Sequence, residues 1–349
     1  FSQHHFPNEL AQLIQAKTEG NPLFMTDLVR YLKDRGVLAE QAGQWVLAQP
    51  LPDIERELPE SVRGMIERKI AQLDEDDRKL LTCASVQGYE FDSAIVSQVL
   101  QLDAGEVEER LEKLERVYAF VRLVREDEFP NRTLTLRYRF VHVLYQNALY
   151  GSLRATRRAT MSAAVGHSLV GFYGAQDSSI ASELAYLFTA ARDFAKAAEY
   201  FRRAAINAVQ VLATQEAVAL ARRGLEQLRQ LPESDERRAL ELALQVVLGN
   251  MLSATHGFAA VEVGQTYGRA RELCRQLDET PHLLPVLFGL CVNHWVGGRH
   301  RQALELGQEF LALAQEKQDV AVIVAERMVG GTLWCLGELT QARVHYERL

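Results

Sequence analysis

The stretch Asp193-Phe194-Ala195-Lys196-Ala197-Ala198-Glu199-Tyr200-Phe201-Arg202-Arg203-Ala204 decides the architecture. Ala197, Phe201 and Ala204 fall at offsets of four and seven residues, so one helix face carries small, large and small side chains in turn. Antiparallel helices approach closely only where side chains are short, and such a face belongs to stacked helix pairs. Upstream, Ala185 and Phe188 supply the partner helix. The same spacing returns at Ala217, Ala221 and Gly224, at Val263, Tyr267 and Ala270, at Ala303, Gly307 and Phe310, and at Ala342, Tyr346 and Leu349. The last of these follows Leu336-Gly337-Glu338-Leu339, which reads as a turn between helices. Intervals are irregular at first and close to 40 later. A mainly α chain ending in a helical solenoid over 156–349 is expected, with an amphipathic bundle as the competing reading. Phe201 and Tyr346 should be core aromatics, while Phe188, His294 and Trp295 on first helices should border the groove.

Working back toward the N-terminus, the pattern changes. Val62 to Leu73, Arg78 to Val86, Ser93 to Leu100 and Val107 to Val117 have helical periodicity, the third after Asp92 as a cap. Phe120 to Val124 and Thr133 to Phe140 are β-type runs about the turn-rich Asp127 to Asn131, and a helix from Val141 to Leu153 follows. Four helices before any strand, then a hairpin, outline a winged-helix-like domain over 58–155. Before it, 1–57 reads helix, break at Gly20-Asn21, and a second helix opened by Pro22 and ended by Gly36. A short ribbon around Ala42-Gly43 comes next, and Pro50, Pro52 and Pro59 mark a linker.

The 349 residues are 48% apolar and 24% charged with a net charge of -7, which fits two or three folded domains and excludes disordered and collagen-like chains. The longest nearly apolar run, Leu283 to Val292, is far short of the ~20 residues of a membrane helix, and no export signal opens the chain. Cys83, Cys274, Cys291 and Cys335 form no C-x-x-C pair, so a reducing, cytoplasmic setting is expected. The first residue is not Met and the sequence ends within the helical pattern Leu339 to Leu349, which predicts a piece of a longer protein.

Catalytic signatures are absent from the sequence. Lys17-Thr18 is the one Lys followed by Ser or Thr, but Ala11 and Ala16 stand where a phosphate-binding loop needs glycine. Gly166 to Gly171 has one residue too many for a nucleophile elbow and lies in helical sequence. Cys291, His294 and His300 lie near one another without a fourth ligand, so no metal site is assigned. The carboxylates of Asp74 to Asp77 and Asp103 to Glu115 alternate with Lys and Arg and read as solvated faces. The second of these runs lies on the would-be recognition helix, which is too acidic to approach phosphates, so nucleic acid is not an expected partner. Arg154, Arg157 and Arg158 form a local basic patch after it.

The repeat pattern resembles tetratricopeptide repeats. Lys17-Thr18-Glu19-Gly20-Asn21-Pro22-Leu23-Phe24 with Asp27-Leu28 resembles the lid motif of the STAND class, the AAA+-related signal-transduction ATPases with numerous domains. Leu58 to Arg63, Arg78 to Leu81 and Gly88 to Phe91 are similar to the start of that class's winged helix, and Tyr138 to His142 with Tyr150 to its end. Leu225 to Leu277 is similar to the repeats of bacterial ATPases fused to nucleotide cyclases, Ser/Thr kinases or LuxR-type regulators. The resemblance implies that Pro22 packs on adenine, with Gly20 and Asn21 shaping the turn, and that His142 senses the β-phosphate of ADP, although Arg139-Phe140-Val141-His142 departs from the Met-His-Asp form of other branches. It further implies ATP or ADP in a parent protein with an upstream P-loop domain, no cofactor for this chain alone, and a protein or small effector on the repeat groove. Nucleotide-dependent self-association belongs to the same picture. The implied function is a regulatory sensor-transducer segment. The competing readings are a stand-alone tetratricopeptide scaffold and a winged-helix transcription regulator.

Overall fold

The computed structural model describes residues 6–18, 22–41, 44–48, 62–277, 281–317 and 320–349. The chain is mainly α-helical and divides into two compact units, Phe1–Ser168 and Leu169–Leu349. In the first unit, α1 (Asn8–Thr18) and α2 (Pro22–Asp34) pack with the hairpin β1 (Leu38–Gln41) and β2 (Gln44–Leu47) around Leu10, Ile14, Leu28, Leu32, Val37 and Leu38. Gly36 ends α2 as the sequence predicts. Its φ is +70°, its N–H donates to Lys33 O (2.8 Å), and Val37 N–H reaches Leu32 O (2.9 Å). This double closure satisfies two carbonyls at the helix end and sets Val37 onto Leu32 in the core.

The rest of the unit runs α3 (Val62–Ala71), α4 (Glu75–Gln87), β3 (Glu90–Asp92), α5 (Ser93–Leu100), α6 (Ala104–Arg116), β4 (Val121–Glu128), β5 (Leu134–Phe140) and α7 (Val143–Ser152). A strand therefore precedes the third of these helices, against the expectation of four helices before any strand. β3 pairs with β5, which lies between β3 and β4 in an antiparallel sheet. Three residues are too few for alternation to show in sequence. Their strand character comes from the partner, through Phe91 stacked on Tyr138 and tilted against Phe140.

Asp92 is a second correction. It occupies the N-cap position of α5, but its side chain makes no cap bond and instead grips Arg137 through two contacts of 3.2 and 2.7 Å. Thr135 Oγ1 accepts from Ala94 N–H in its place (3.2 Å). Asp77 is the third. The expectation of a solvated face fails there, because Asp77 is fully buried and receives Arg110 (3.3 Å) and Lys113 (2.9 Å) from α6. A buried carboxylate needs such partners, so the pair of cations ties α4 to α6.

Helix α8 (Ala155–Tyr173) spans the boundary between the units, and a 3₁₀ segment, Gly174–Ile180, follows it. The second unit continues with α9 (Ala181–Ala191), α10 (Phe194–Gln210), α11 (Thr214–Leu228), α12 (Asp235–His256), α13 (Val261–Gln276), α14 (Leu283–Val296), α15 (His300–Glu316), α16 (Ala321–Cys335) and α17 (Leu339–Tyr346). From α9 on, each helix packs on the next, and α10, α12 and α14 also touch the next helix but one, α12, α14 and α16 in turn. This pattern defines the pairs α10/α11, α12/α13, α14/α15 and α16/α17. The triplets at this spacing on α11, α13 and α15 thus lie on second helices and are buried. The best-matching triplet, Ala197, Phe201 and Ala204, is equally buried but lies on α10, a first helix. The close helix approach it predicted is present. Its register within the pair is shifted, because spacing alone cannot tell the two helices of a pair apart.

The small residues allow one notable insertion. The ring of Tyr267 on α13 lies between Gly249 on α12 and Gly289 on α14, where added Cβ atoms would come within 2.8 and 2.5 Å of ring carbons. Its hydroxyl donates to Asn250 Oδ1 at 2.6 Å.

Candidate functional site

Helix α2 begins at Pro22, an exposed residue whose missing N–H costs nothing in a first turn. Its carbonyl accepts from Thr26 Oγ1 (2.9 Å). Two residues on, Phe24 turns inward and is 1% exposed. Its ring meets His142 edge to face, with centroids 5.3 Å apart, and Tyr145 at 6.4 Å. Of the sequence-predicted residues, the structure brings His142 against Phe24, while Pro22 lies at the exposed start of the same helix as Phe24 and no contact joins it to His142 among the described residues. Gly20 and Asn21 lie outside the described residues.

His142 is the N-cap of α7. Its Nδ1 accepts the backbone N–H of Leu144 at 3.2 Å, and its carbonyl accepts from Tyr145 N–H at 3.1 Å. A ring whose δ-nitrogen accepts must carry its proton on Nε2 when neutral, so the ε edge is a donor. The ring is half-buried. The cap explains its position in the fold, and the remaining donor is what it could offer an anion.

Tyr145 and Lys69 complete this corner and were missed in the sequence. Tyr145 is buried against Phe24 and Phe120, and its hydroxyl accepts from Lys69 Nζ at 3.1 Å. Lys69 Nζ also lies 4.9 and 5.1 Å from the ring centroids of Tyr145 and Phe120. Tyr145 could have been noticed as the inward position one turn after the His142 cap. No sequence signal marks a lysine on α3 that turns toward aromatic rings.

Two further surfaces bear on function. A groove of about 1240 Å³ runs between α3, α4, α7 and the start of α8, with Ile66, Ile70, Leu144 and Ala148 among its apolar walls and Arg78, Lys79, Arg154 and Arg157 among its cations. Two of the three arginines of the sequence's basic patch therefore face one groove. The third, Arg158, stacks on Tyr150 (4.8 Å) and donates to Leu153 O (3.1 Å). On α6, Arg110 and Lys113 are committed to Asp77 and Arg116 pairs with Glu112 (2.8 Å), so its cations serve the fold.

In the second unit, Phe188 does not border a groove. It is fully buried and stacks on Tyr200 with centroids 5.5 Å apart, because α9 and α10 close over it. Trp295 is 36% exposed, and Tyr346, expected in the core, is 44% exposed. Among the described elements helix α17 packs chiefly on α16, which leaves the outer part of its triplet uncovered. His294 accepts from Arg299 Nε at 2.7 Å, and partial burial, aided by the Arg299 charge, lowers its pKa. Cys291 Sγ donates to Ala303 O (3.3 Å), so the Cys291 and His294 side chains each have a protein partner. Among the described residues, no group of three or more metal-ligating side chains converges and no helix is long and apolar enough to cross a membrane.

The fold and this corner define a mainly α protein with a helical-repeat unit. No protein-family model matches the chain, and no curated protein matches it. Among solved structures, it is similar to a signal transduction ATPase with numerous domains (STAND) protein with a tetratricopeptide repeat sensor from Pyrococcus horikoshii. That likeness has 10% sequence identity and a TM-score of 0.39, and it covers 98% of this chain. The chain spans 56% of the length of that protein.

Proposed function

We propose that this chain is the regulatory sensor-transducer segment of a STAND-type signalling ATPase, which couples nucleotide state to binding of a protein or small effector on the helical repeats. The observation that supports the reading is the contact of the Phe24 ring, two residues beyond Pro22 on α2, with the His142 ring. In this reading 58–155 is a winged helix, the P-loop belongs to a domain upstream, and ATP or ADP binds there against Pro22 and His142. Coupling requires that the repeat ligand prefer one nucleotide state over the other.

His142 would donate to a phosphate in the closed state through the edge its cap bond leaves available. The test is nucleotide binding to the parent protein carrying the P-loop. His142→Ala should weaken ADP retention more than ATP binding, whereas Pro22→Ala should weaken both alike. Equal losses for His142→Ala would leave this residue a helix cap and remove it from the mechanism. The chain alone should show no ATP turnover, since its sequence holds no P-loop motif.

A further inference from the structure

In the second unit, the turns that follow first helices gather along one edge. Asn293, near the end of α14, donates through Nδ2 to the carbonyls of Phe258 and Ala260 in the α12/α13 turn (2.5 and 3.0 Å). Near the end of α16, a Cβ on Gly331 would lie 3.9 Å from Trp295 Cζ2. The packing of α10 on α12 extends the row to the α10/α11 turn. These turns are apolar. Val211 and Leu212 stand at the first, Phe258 and Val261 at the second, and Trp295 and Val296 at the α14/α15 turn, between 36 and 83% exposed. Among the described residues of 169–317, the one other exposed large apolar side chain is Tyr186. Turn residues 211–213, 257–260 and 297–299 include a single charge, Arg299, which is tied to His294 and Asn293. Polar residues ordinarily dominate turns, and the connection at 229–234 follows that rule with Arg229, Gln230 and Glu233 exposed. Single exposed apolar residues need no explanation, but a row of them marks a contact surface.

We propose that this edge rests on a phospholipid bilayer, with the six turn side chains at the boundary between headgroups and acyl chains. They stand on separate turns, one helix spacing or about 8–10 Å apart. A protein partner would have to enclose each tip in a matching pocket, whereas a fluid bilayer takes each one independently. Trp295 suits that boundary, because an indole is an apolar body with one N–H donor. Arg301 supplies the charge match to a lipid phosphate. It is exposed at the start of α15 beside the Trp295 turn and makes no hydrogen bond or ion pair with a described residue. No helix among the described residues is long and apolar enough to cross a membrane, so the contact is at the surface. Its strength follows the apolar area buried and requires no nucleotide.

Vesicles of equal parts phosphatidylcholine and phosphatidylserine are the probe, sedimented with the chain. In a Trp45→Phe form the remaining tryptophans are Trp295 and Trp334, and Trp334 precedes Gly337 as Trp295 precedes Gly298, both glycines at positive φ. The chain should sediment with the vesicles, and lipid with brominated acyl chains should quench the emission of the Trp45→Phe form. Leu212→Gln combined with Val261→Gln and Val296→Gln, all exposed positions, should weaken binding at least about tenfold while the far-ultraviolet circular dichroism is unchanged. Leu134→Gln removes an exposed apolar side chain from the first unit and should leave binding as it was. A chain that stays in solution at millimolar lipid assigns the edge to a protein partner and overturns the proposal. Unquenched emission, undiminished binding of the triple variant, or an equal loss for Leu134→Gln overturns it as well. If the triple variant unfolds, quenching of the Trp45→Phe form decides alone.

Discussion

Phe201 and Tyr346 hold equivalent places in the repeat spacing and opposite places in the structure. Phe201 is 1% exposed, meets Tyr186 edge to face at 5.4 Å, and lies where a Cβ on Gly224 would approach its own Cβ within 3.2 Å. Phe201→Ala should therefore cost roughly 3–5 kcal/mol, measured by denaturant unfolding, because a cavity replaces a ring in a close-packed seam. Tyr346→Ala should change stability by less than about 1 kcal/mol, since much of its surface stays in water. A comparable loss at both positions would restore the sequence register and contradict the exposed α17. Gly289 tests the same packing from the other direction. A Cβ there meets the rigid ring of Tyr267 rather than a flexible chain end, so Gly289→Ala should destabilise by roughly 1–3 kcal/mol, whereas Gly268, with open space about it, should accept Ala.

Helix α10 shows how charge and packing combine within one element. Asp193 caps it by accepting from Lys196 N–H (3.1 Å), and its apolar face buries Ala197, Tyr200, Phe201 and Ala204. On the flank, Glu199 receives Arg202 at 2.8 Å and Arg203 at 2.9 Å, and Arg203 reaches Asp177 at 3.1 Å. Burial pushes the Glu199 carboxyl up, and the two guanidinium groups outweigh it, so its pKa lies below the ordinary glutamate value. A depressed carboxylate contributes stability above its unfolded pKa of about 4.3, and that contribution is lost as pH falls through the folded value. Thermal midpoints recorded from neutral to acid pH should therefore fall less steeply for Glu199→Gln than for the wild type, and parallel curves would remove this cluster from the acid response. What sequence could show follows the same division. The α10 face was legible because its spacing is local. β3, the Asp92–Arg137 pair and buried Asp77 were not, because each is created by an element distant along the chain. The candidate site divides likewise: the Pro22 turn and the His142 cap could be read, and Lys69 against Tyr145 could not.

At the scale of the whole molecule, the two compact units each have a core and each hold buried thiols. Cys83 is buried in the first unit, and burial pushes its thiol up to about 12. Cys274 and Cys291 are buried in the second, the latter pushed up to about 11, while Cys335 is exposed on α16. Because the thiolate is the reactive form, one thiol per chain, that of Cys335, should react with dithionitrobenzoate in the native protein near neutral pH. The other three become reporters of their surroundings under denaturant. Stability in stacked repeats is nearly a sum over neighbouring pairs, whereas the first unit closes around a core contributed by α2, α3 to α7 and the β3-β5-β4 sheet. Pulsed thiol labelling read by mass spectrometry should consequently give two midpoints, one for Cys83 and another shared by Cys274 and Cys291. Phe201→Ala should shift the second midpoint to lower denaturant and leave the first in place. A single midpoint for all three thiols, moved as one by that substitution, would mean that the units unfold together and that their cores are thermodynamically one.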